Sequence, residues 1–127
     1  MRIHVLLPAI SAGSLLFATQ TTAHHSFAAE FDINQPIEIR GTLTSIELVN
    51  PHGWLYINVE NDDGTVTNWA IEAGGATQLL RRGIRQTDFV IGTEVIVNGY
   101  RARSGDPVIN GRQVTTLDGR NFFLGSE

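Results

Sequence analysis

One stretch of this chain limits its possible folds more than any other. Between Ile37 and Leu48 the apolar residues first fall on one parity, Ile37, Ile39 and Leu43 with Gly41 among them, and then on the other, Ile46 and Leu48. Successive side chains of a strand point to opposite faces, so a change of parity inside one apolar run requires a bulge or a strong bend. Gly41 is the expected bending point, because a glycine inside a strand marks a bend or a close backbone approach. A long strand that bends can serve two sheets, and this favours a small barrel over a flat sheet.

The rest of the chain supplies the partners. Trp54 to Glu60 alternates, with Leu55, Ile57 and Val59 on one face and Trp54, Tyr56 and Asn58 on the other. Asn61-Asp62-Asp63-Gly64 is a hairpin turn, and Thr65 to Ala73 returns as a third strand with Thr67, Trp69 and Ile71 on one face. After Gly74-Gly75, Ala76 to Arg82 reads as a two-turn helix held by Leu79 or Leu80, with Gly83 as its C-cap. A fourth strand spans Glu94 to Arg101, and a polar loop covers residues 102–111. A fifth strand, Arg112 to Leu117, turns at Asp118-Gly119 into Arg120 to Leu124. A long bent strand, two more strands, a helix and two further strands give an all-β fold with one short helix. The expected architecture is a small five-stranded OB-like Greek-key barrel. An open sandwich is the second reading.

That domain occupies residues 36–127, after an irregular arm at 24–35. Residues 1–23 read as a cleaved signal peptide. Arg2 gives a positive start, Val5 to Ala18 is apolar, and Thr21 and Ala23 fit a small-x-small cleavage pattern. The apolar run is short for a membrane span, which needs about 20 residues. With no Cys in the chain, a lipid anchor on a cysteine and disulfides are both excluded. The expectation is a periplasmic protein with no stable membrane insertion after cleavage. The net charge of −4, with nine Arg and no Lys, argues against a nucleic-acid binder. Charge is uneven along the chain. Arg40 is alone among the acids of residues 24–75, whereas most of the arginines fall in residues 76–127. The two halves either form opposite faces or interleave.

Cleavage after Ala23 would make His24 the N-terminus, and its α-amine and imidazole would close a chelate on one metal ion. An α-amine has a pKa near 8 and deprotonates readily under a cupric ion. Nitrogen-rich tetragonal sites suit copper(II), and His25 or His52 would complete one. Against this, N-terminal residues of exported domains are ordinarily solvated. Asn50-Pro51-His52-Gly53-Trp54 sits between the first two strands and reads either as a ligand loop or as a plain turn. Trp54, Tyr56 and Trp69 on paired strands form a candidate aromatic platform, with core packing as the ordinary alternative. Arg81, Arg82 and Arg85 are candidates for holding a carboxylate or phosphate, or simply end a helix in solvent. Glu72 and Asp88 flank the helix as candidate acid–base partners, with no spacing that pairs them. Nucleophile-elbow, phosphate-loop and metalloprotease motifs are missing.

Taken together, His24-His25-Ser26-Phe27-Ala28-Ala29-Glu30-Phe31-Asp32, Pro36-Ile37, Gly41-Thr42, Asn50-Pro51-His52 and Trp54 resemble the exported proteobacterial family of unknown function DUF6152. The later motifs Asn68-Trp69-Ala70-Ile71-Glu72, Leu80-Arg81-Arg82-Gly83, Gly92-Thr93-Glu94-Val95, Gly99-Tyr100-Arg101-Ala102, Asn110-Gly111-Arg112 and Asp118-Gly119-Arg120 extend that resemblance over essentially the whole of the chain after residue 23. It implies a periplasmic β-barrel-like domain and supplies no activity. The leading expectation is a non-enzymatic binding protein that takes copper through His24, helped by His25 or His52. A second is an accessory module for an exported or membrane-bound redox enzyme, touching it, or a small ligand, through the 50–54 loop and the arginines. A third is a small hydrolase or isomerase using His52 with Glu72 or Asp88.

Overall fold

A computed structural model describes residues 27–125. Residues 27–30 are helical. The elements that follow are β1 (Phe31–Glu47), β2 (His52–Glu60), β3 (Val66–Gly74), α1 (Ala76–Arg81), a 3-10 turn (Gln86–Asp88), β4 (Glu94–Ala102), β5 (Val108–Thr116) and β6 (Asn121–Phe123). The strands hydrogen-bond in the order β3-β2-β1-β4-β5-β6, and a parallel β3–β5 pairing closes the first five into a ring. The chain forms an OB-like barrel, with α1 between β3 and β4.

The ring depends on β1 changing partners. Its first part pairs with β4 as far as Thr42↔Glu94, and its second part pairs with β2 from Thr42↔Asn58 onward. Gly41 sits at the exchange, where a Cβ would lie 2.4 Å from the backbone oxygen of Asn58. Only a residue without a side chain lets the two walls approach so closely. The exchange is therefore where the sequence put the bend, and the parity change falls between Leu43 and Ile46 as read, but a bulge at Thr44 and not Gly41 produces it. Thr44 is the extra residue of a bulge between Leu43↔Ile57 and Ser45↔Tyr56. Its hydroxyl donates to the Tyr56 carbonyl at 3.0 Å, and the bulge lets Leu43 and Ile46 both turn inward.

The interior is filled by Leu43, Leu55, Ile57, Ile71, Val95, Val97, Ile109 and Val114, with Leu79 of α1 and Leu124 completing it. The helix is short and owes its place to Leu79, which is fully buried, whereas Leu80 points outward. Gly83 donates to the Leu80 carbonyl just beyond the last turn, as a C-cap does.

Two boundaries differ from the sequence reading. Strand β1 starts at Phe31, so the arm expected over residues 24–35 contributes its last five residues to the barrel. Their pairing with β4 is irregular between Phe31 and Pro36, which breaks the alternation that would have revealed them. Strand β5 starts at Val108, inside the loop expected over residues 102–111. Val108, Ile109 and Asn110 are extended because they pair with Ala70, Ile71 and Glu72 to close the ring, a contact between distant segments that local pattern does not report. The unequal charge of the two halves ends in interleaving. Arg40 meets Glu94 at 2.9 Å and Arg103 meets Asp32 at 3.5 Å, each pair joining β1 to the later half.

Replacing Leu79 by Ala should lower the unfolding free energy by about 2–5 kcal/mol. The same change at its neighbour Leu80, 52% exposed, should shift it by no more than about 0.5 kcal/mol. Urea unfolding of the two variants beside the parent chain checks both.

Candidate functional site

Strand parity divides the barrel wall into an inside and an outside. On β2, Leu55 and Ile57 face in, so His52, Trp54 and Tyr56 face out. Register then carries the outer face across the neighbouring strands. Trp54 is opposite Glu72, Glu72 opposite Asn110, and Asn110 opposite Tyr100. A polar group on the outside of a barrel is ordinarily wet, yet Glu72 is only 9% and Asn110 only 4% exposed.

What shelters this part of the wall is the segment before β1. Phe31 is 3% exposed without belonging to the interior cluster. It packs on the outer face beside Phe27, with ring centroids 5.7 Å apart, and Phe27 meets Tyr100 edge-on at 6.0 Å. Arg103, just after β4, ties the same segment down three times. Its backbone N–H donates to Glu30 O at 2.8 Å and its Nε to Ala28 O at 2.9 Å. Its guanidinium also pairs with Asp32 at 3.5 Å.

Under this cover, Nδ1 of His52 lies 3.3 Å from Oε1 of Glu72. Nδ1 is buried and close to the carboxylate, but it is not aligned for a hydrogen bond. Glu72 Oε1 accepts a long hydrogen bond from the Asn110 side-chain amide at 3.4 Å. Burial holds the Glu72 carboxyl above the usual carboxylate range. The neighbouring His52 pulls it down, the like charge of Glu30 pushes it further up, and the Asn110 amide pulls it down. The His52 side chain is 43% exposed overall. Its buried nitrogen faces Glu72, so Nε2 is the nitrogen left for a ligand or a proton. A carboxylate behind one imidazole nitrogen fixes the tautomer and strengthens the other nitrogen as a donor.

The loop that delivers His52 has its own structural duty. Asn50 accepts the Thr77 backbone N–H at 3.2 Å and donates to the Thr77 hydroxyl at 3.1 Å, satisfying a donor in the first turn of α1. Within residues 50–54, Asn50 is therefore structural, while His52 faces the sheltered carboxylate.

The other candidates part company. Trp69 pairs with Ile57 and so lies on the inner face, packed against the core and 5.5 Å from the Arg101 guanidinium. Trp54 and Tyr56 lie on the outer face, so the three rings make no common platform. Arg82 stacks on Phe123 at 4.8 Å and donates to Gly125 O at 2.5 Å, a tie between α1 and the chain beyond β6. Arg81 and Arg85 are exposed. Asp88 pairs with Arg120 at 3.2 Å and caps the Arg85 N–H at 2.7 Å, so Glu72 and not Asp88 is the carboxylate brought to His52. His24, His25 and the signal segment 1–23 lie outside the described residues. Among the described residues no group of three His, Cys, Asp or Glu side chains comes together, and no helix is long and apolar enough to cross a membrane. Asn110, Arg103, Phe27 and Tyr100 escaped selection from sequence as site residues. Three of them stand in the motifs that carry the family resemblance, the one available signal.

Residues 14–111 match the model of a family of unknown function, DUF6152. The chain belongs to this family. No curated protein and no solved structure matches it. The family match runs through Asn110 and so takes in the whole outer-wall cluster, while β6, with the Phe123 ring on which Arg82 stacks, falls outside it.

A carboxyl group raised by folding weakens the folded state as it ionises. Its neutral form is fully accommodated below the unfolded value of about 4.5, and stability falls as pH rises through the folded value. Glu72→Gln should therefore match the parent chain near about pH 4 and be the more stable of the two near about pH 7.5. Urea unfolding of metal-free protein at both pH values measures the difference.

Proposed function

We propose that this family member is a non-enzymatic binding protein of the periplasm, exported by residues 1–23, which takes up copper(II) on the outer wall of its barrel. The donors are the α-amine and imidazole of His24, with Nε2 of His52 and the imidazole of His25 available to complete the set. One observation carries the reading: His52 stands half-exposed with its Nδ1 turned to a sheltered carboxylate. That is the arrangement in which an outer carboxylate orients a metal-binding imidazole. An amine beside imidazoles offers the nitrogen-rich field that copper(II) prefers among divalent ions.

The accessory-module reading relied on the 50–54 loop and the arginines as contacts. Asn50 and Arg82 are already engaged within the barrel, which weakens it. The hydrolase reading retains a His52–Glu72 pair, and barrel architecture adds nothing to its case.

The test is the intact mass of the exported protein, followed by copper(II) titration. The mass should begin at His24 and binding should be tight and stoichiometric. Acetylating the α-amine should abolish the tight phase, because it removes the amine donor. His52→Ala should weaken binding while leaving the unfolding midpoint nearly unchanged. Glu72→Gln should weaken it by roughly 10–100-fold, the usual loss when a carboxylate behind a ligating histidine is removed. Binding no tighter than that of an unrelated histidine peptide would overturn the proposal.

A further inference from the structure

Interleaving of charge within the barrel leaves two groups over. One is at the tip of the β2–β3 hairpin. Pairing of β1 with β2 stops at Thr42↔Asn58, and pairing of β3 with β5 begins only at Ala70↔Val108. Val59, Glu60, Val66 and Thr67 therefore pair only with each other, and the turn they carry extends past the ring's pairing on this side. The turn is ordered from within. The Asn61 amide donates to the hydroxyls of Thr65 and Thr67 at 2.9 Å each, and Asp63 accepts the Thr65 N–H at 2.9 Å. Glu60, Asp62 and Asp63 are exposed here, and among the described residues no cation pairs with them.

The other group lies between α1 and β6. A depression of about 420 Å³ is lined among others by Arg82, Ile84, Phe122 and Phe123. The guanidinium of Arg82 lies 4.8 Å and that of Arg112 5.0 Å from the centre of the Phe123 ring, and Arg120 lies 5.2 Å from that of Phe122. Asp88 and Asp118, which approach this face, are both taken up by Arg120. Arg82 is held by the neutral Gly125 carbonyl, which positions it without cancelling its charge. Arg81 and Arg85, on either side of residues 82–84, are exposed and in no ion pair among the described residues. These two groups cannot meet within one chain. The hairpin turn leads into β3, and α1 follows its far end. Because β5 runs parallel to β3, Gln113 and its partner Phe123 lie beyond the level of Gly74. The nine residues of β3 therefore separate the two ends, by about 25–30 Å.

We propose that the barrel docks head to tail on a second copy of itself, with the Asp62-Asp63 tip of one copy seated in the depression beside Arg82 and Phe123 of the next. Complementarity selects this occupant. Carboxylates meet guanidiniums, and Val66, 60% exposed at the base of the hairpin, is brought toward Phe123, 38% exposed. Opposite charges too far apart to neutralise each other within one chain steer neighbouring copies together. The two contact surfaces differ, so each docked copy keeps a free tip or a free depression, and association continues into chains as concentration rises. The contact uses none of His24, His25 and His52 and is separate from the copper reading.

Sedimentation velocity on the exported full chain, kept metal-free by a chelator, tests it. The mean mass should rise with concentration at low ionic strength. It should return to that of the monomer at about 1 M salt, where charges are screened beyond about 3 Å. Glu60→Arg with Asp62→Arg should weaken self-association about tenfold or more, and Arg81→Glu with Arg85→Glu should do the same, because each sets like charges against each other. None of these four side chains is in an ion pair among the described residues, so both variants should keep the parent unfolding midpoint. Mixed in equal amounts, the two variants should associate again, since the tip of each now fits the depression of the other. A parent chain that stays monomeric at every concentration overturns the proposal. So does self-association that survives in both variants, or that the mixture does not restore. A monomer that binds a glutamate-rich peptide through the same arginines would assign the depression to an acidic segment of another protein and overturn docking between copies.

Discussion

Everything in this barrel depends on β1 leaving one partner for another at Gly41-Thr42. Because Thr42 is in register with both Glu94 and Asn58, one strand links two walls, and the parallel pairing of β3 with β5 can close the remaining gap. That exchange requires the backbones to approach where Gly41 meets Asn58. The bulge at Thr44 then resets parity so that residues on both sides of it reach the interior. Once the ring is closed, parity decides what each residue can do. Inside, aliphatic side chains pack together as the core. Outside, depth arises only where another part of the chain lies over the wall.

Glu72 shows what that cover does. An outward carboxylate ordinarily keeps its water, but this one is buried on the outside of a barrel beneath the segment leading into β1. Sheltering a charge is unfavourable unless partners replace the lost water. A long amide bond from Asn110 and a poorly aligned contact with His52 replace it only in part, so the carboxyl stays above its usual range. A better-aligned imidazole would satisfy Glu72 and the buried Nδ1 together. A charge on Nε2, from a proton or a metal ion, would strengthen the attraction of that imidazole for the carboxylate. The pair is thus only partly satisfied within the folded chain.

How much of this was legible in the sequence follows from the range of each interaction. The β2–β3 hairpin was readable because its alternation and its Asn61–Gly64 turn are local, and Leu79 was one of two residues singled out by helical spacing. The start of β5 was not, since Pro107, Asn110 and Gly111 give the segment the look of a loop, and only pairing with the distant β3 and β4 makes Val108, Ile109 and Asn110 a strand. The faces of Trp54 and Trp69 could each be assigned from their own strands. Placing both rings on one surface needed the register Ile57↔Trp69, which sets them on opposite sides. His52 and Glu72 were both noticed as chemical groups, but their meeting depends on a diagonal across a hairpin. Arg103 gave no signal at all, because what it holds lies more than seventy residues earlier.

Under the copper proposal, closure of the ring bears on why donors would come from the end of the chain. Strands in a closed ring have spent their backbone groups on one another, and their inward side chains are committed to packing. Beyond outward strand side chains such as Glu72, further ligands reach the outer wall from loops or termini. His52 opens β2, and Asn50 in the loop before it is already held by α1. Residues 27–32 lie along the same wall, with Phe27 on Tyr100 and with Arg103 holding Ala28, Glu30 and Asp32. Under the copper proposal the site would join a fixed half, set by strand register, to donors supplied by the chain terminus. Its affinity would then depend on how far those donors are preorganised as well as on the ligands themselves, since preorganisation governs how much of the contact energy appears as binding.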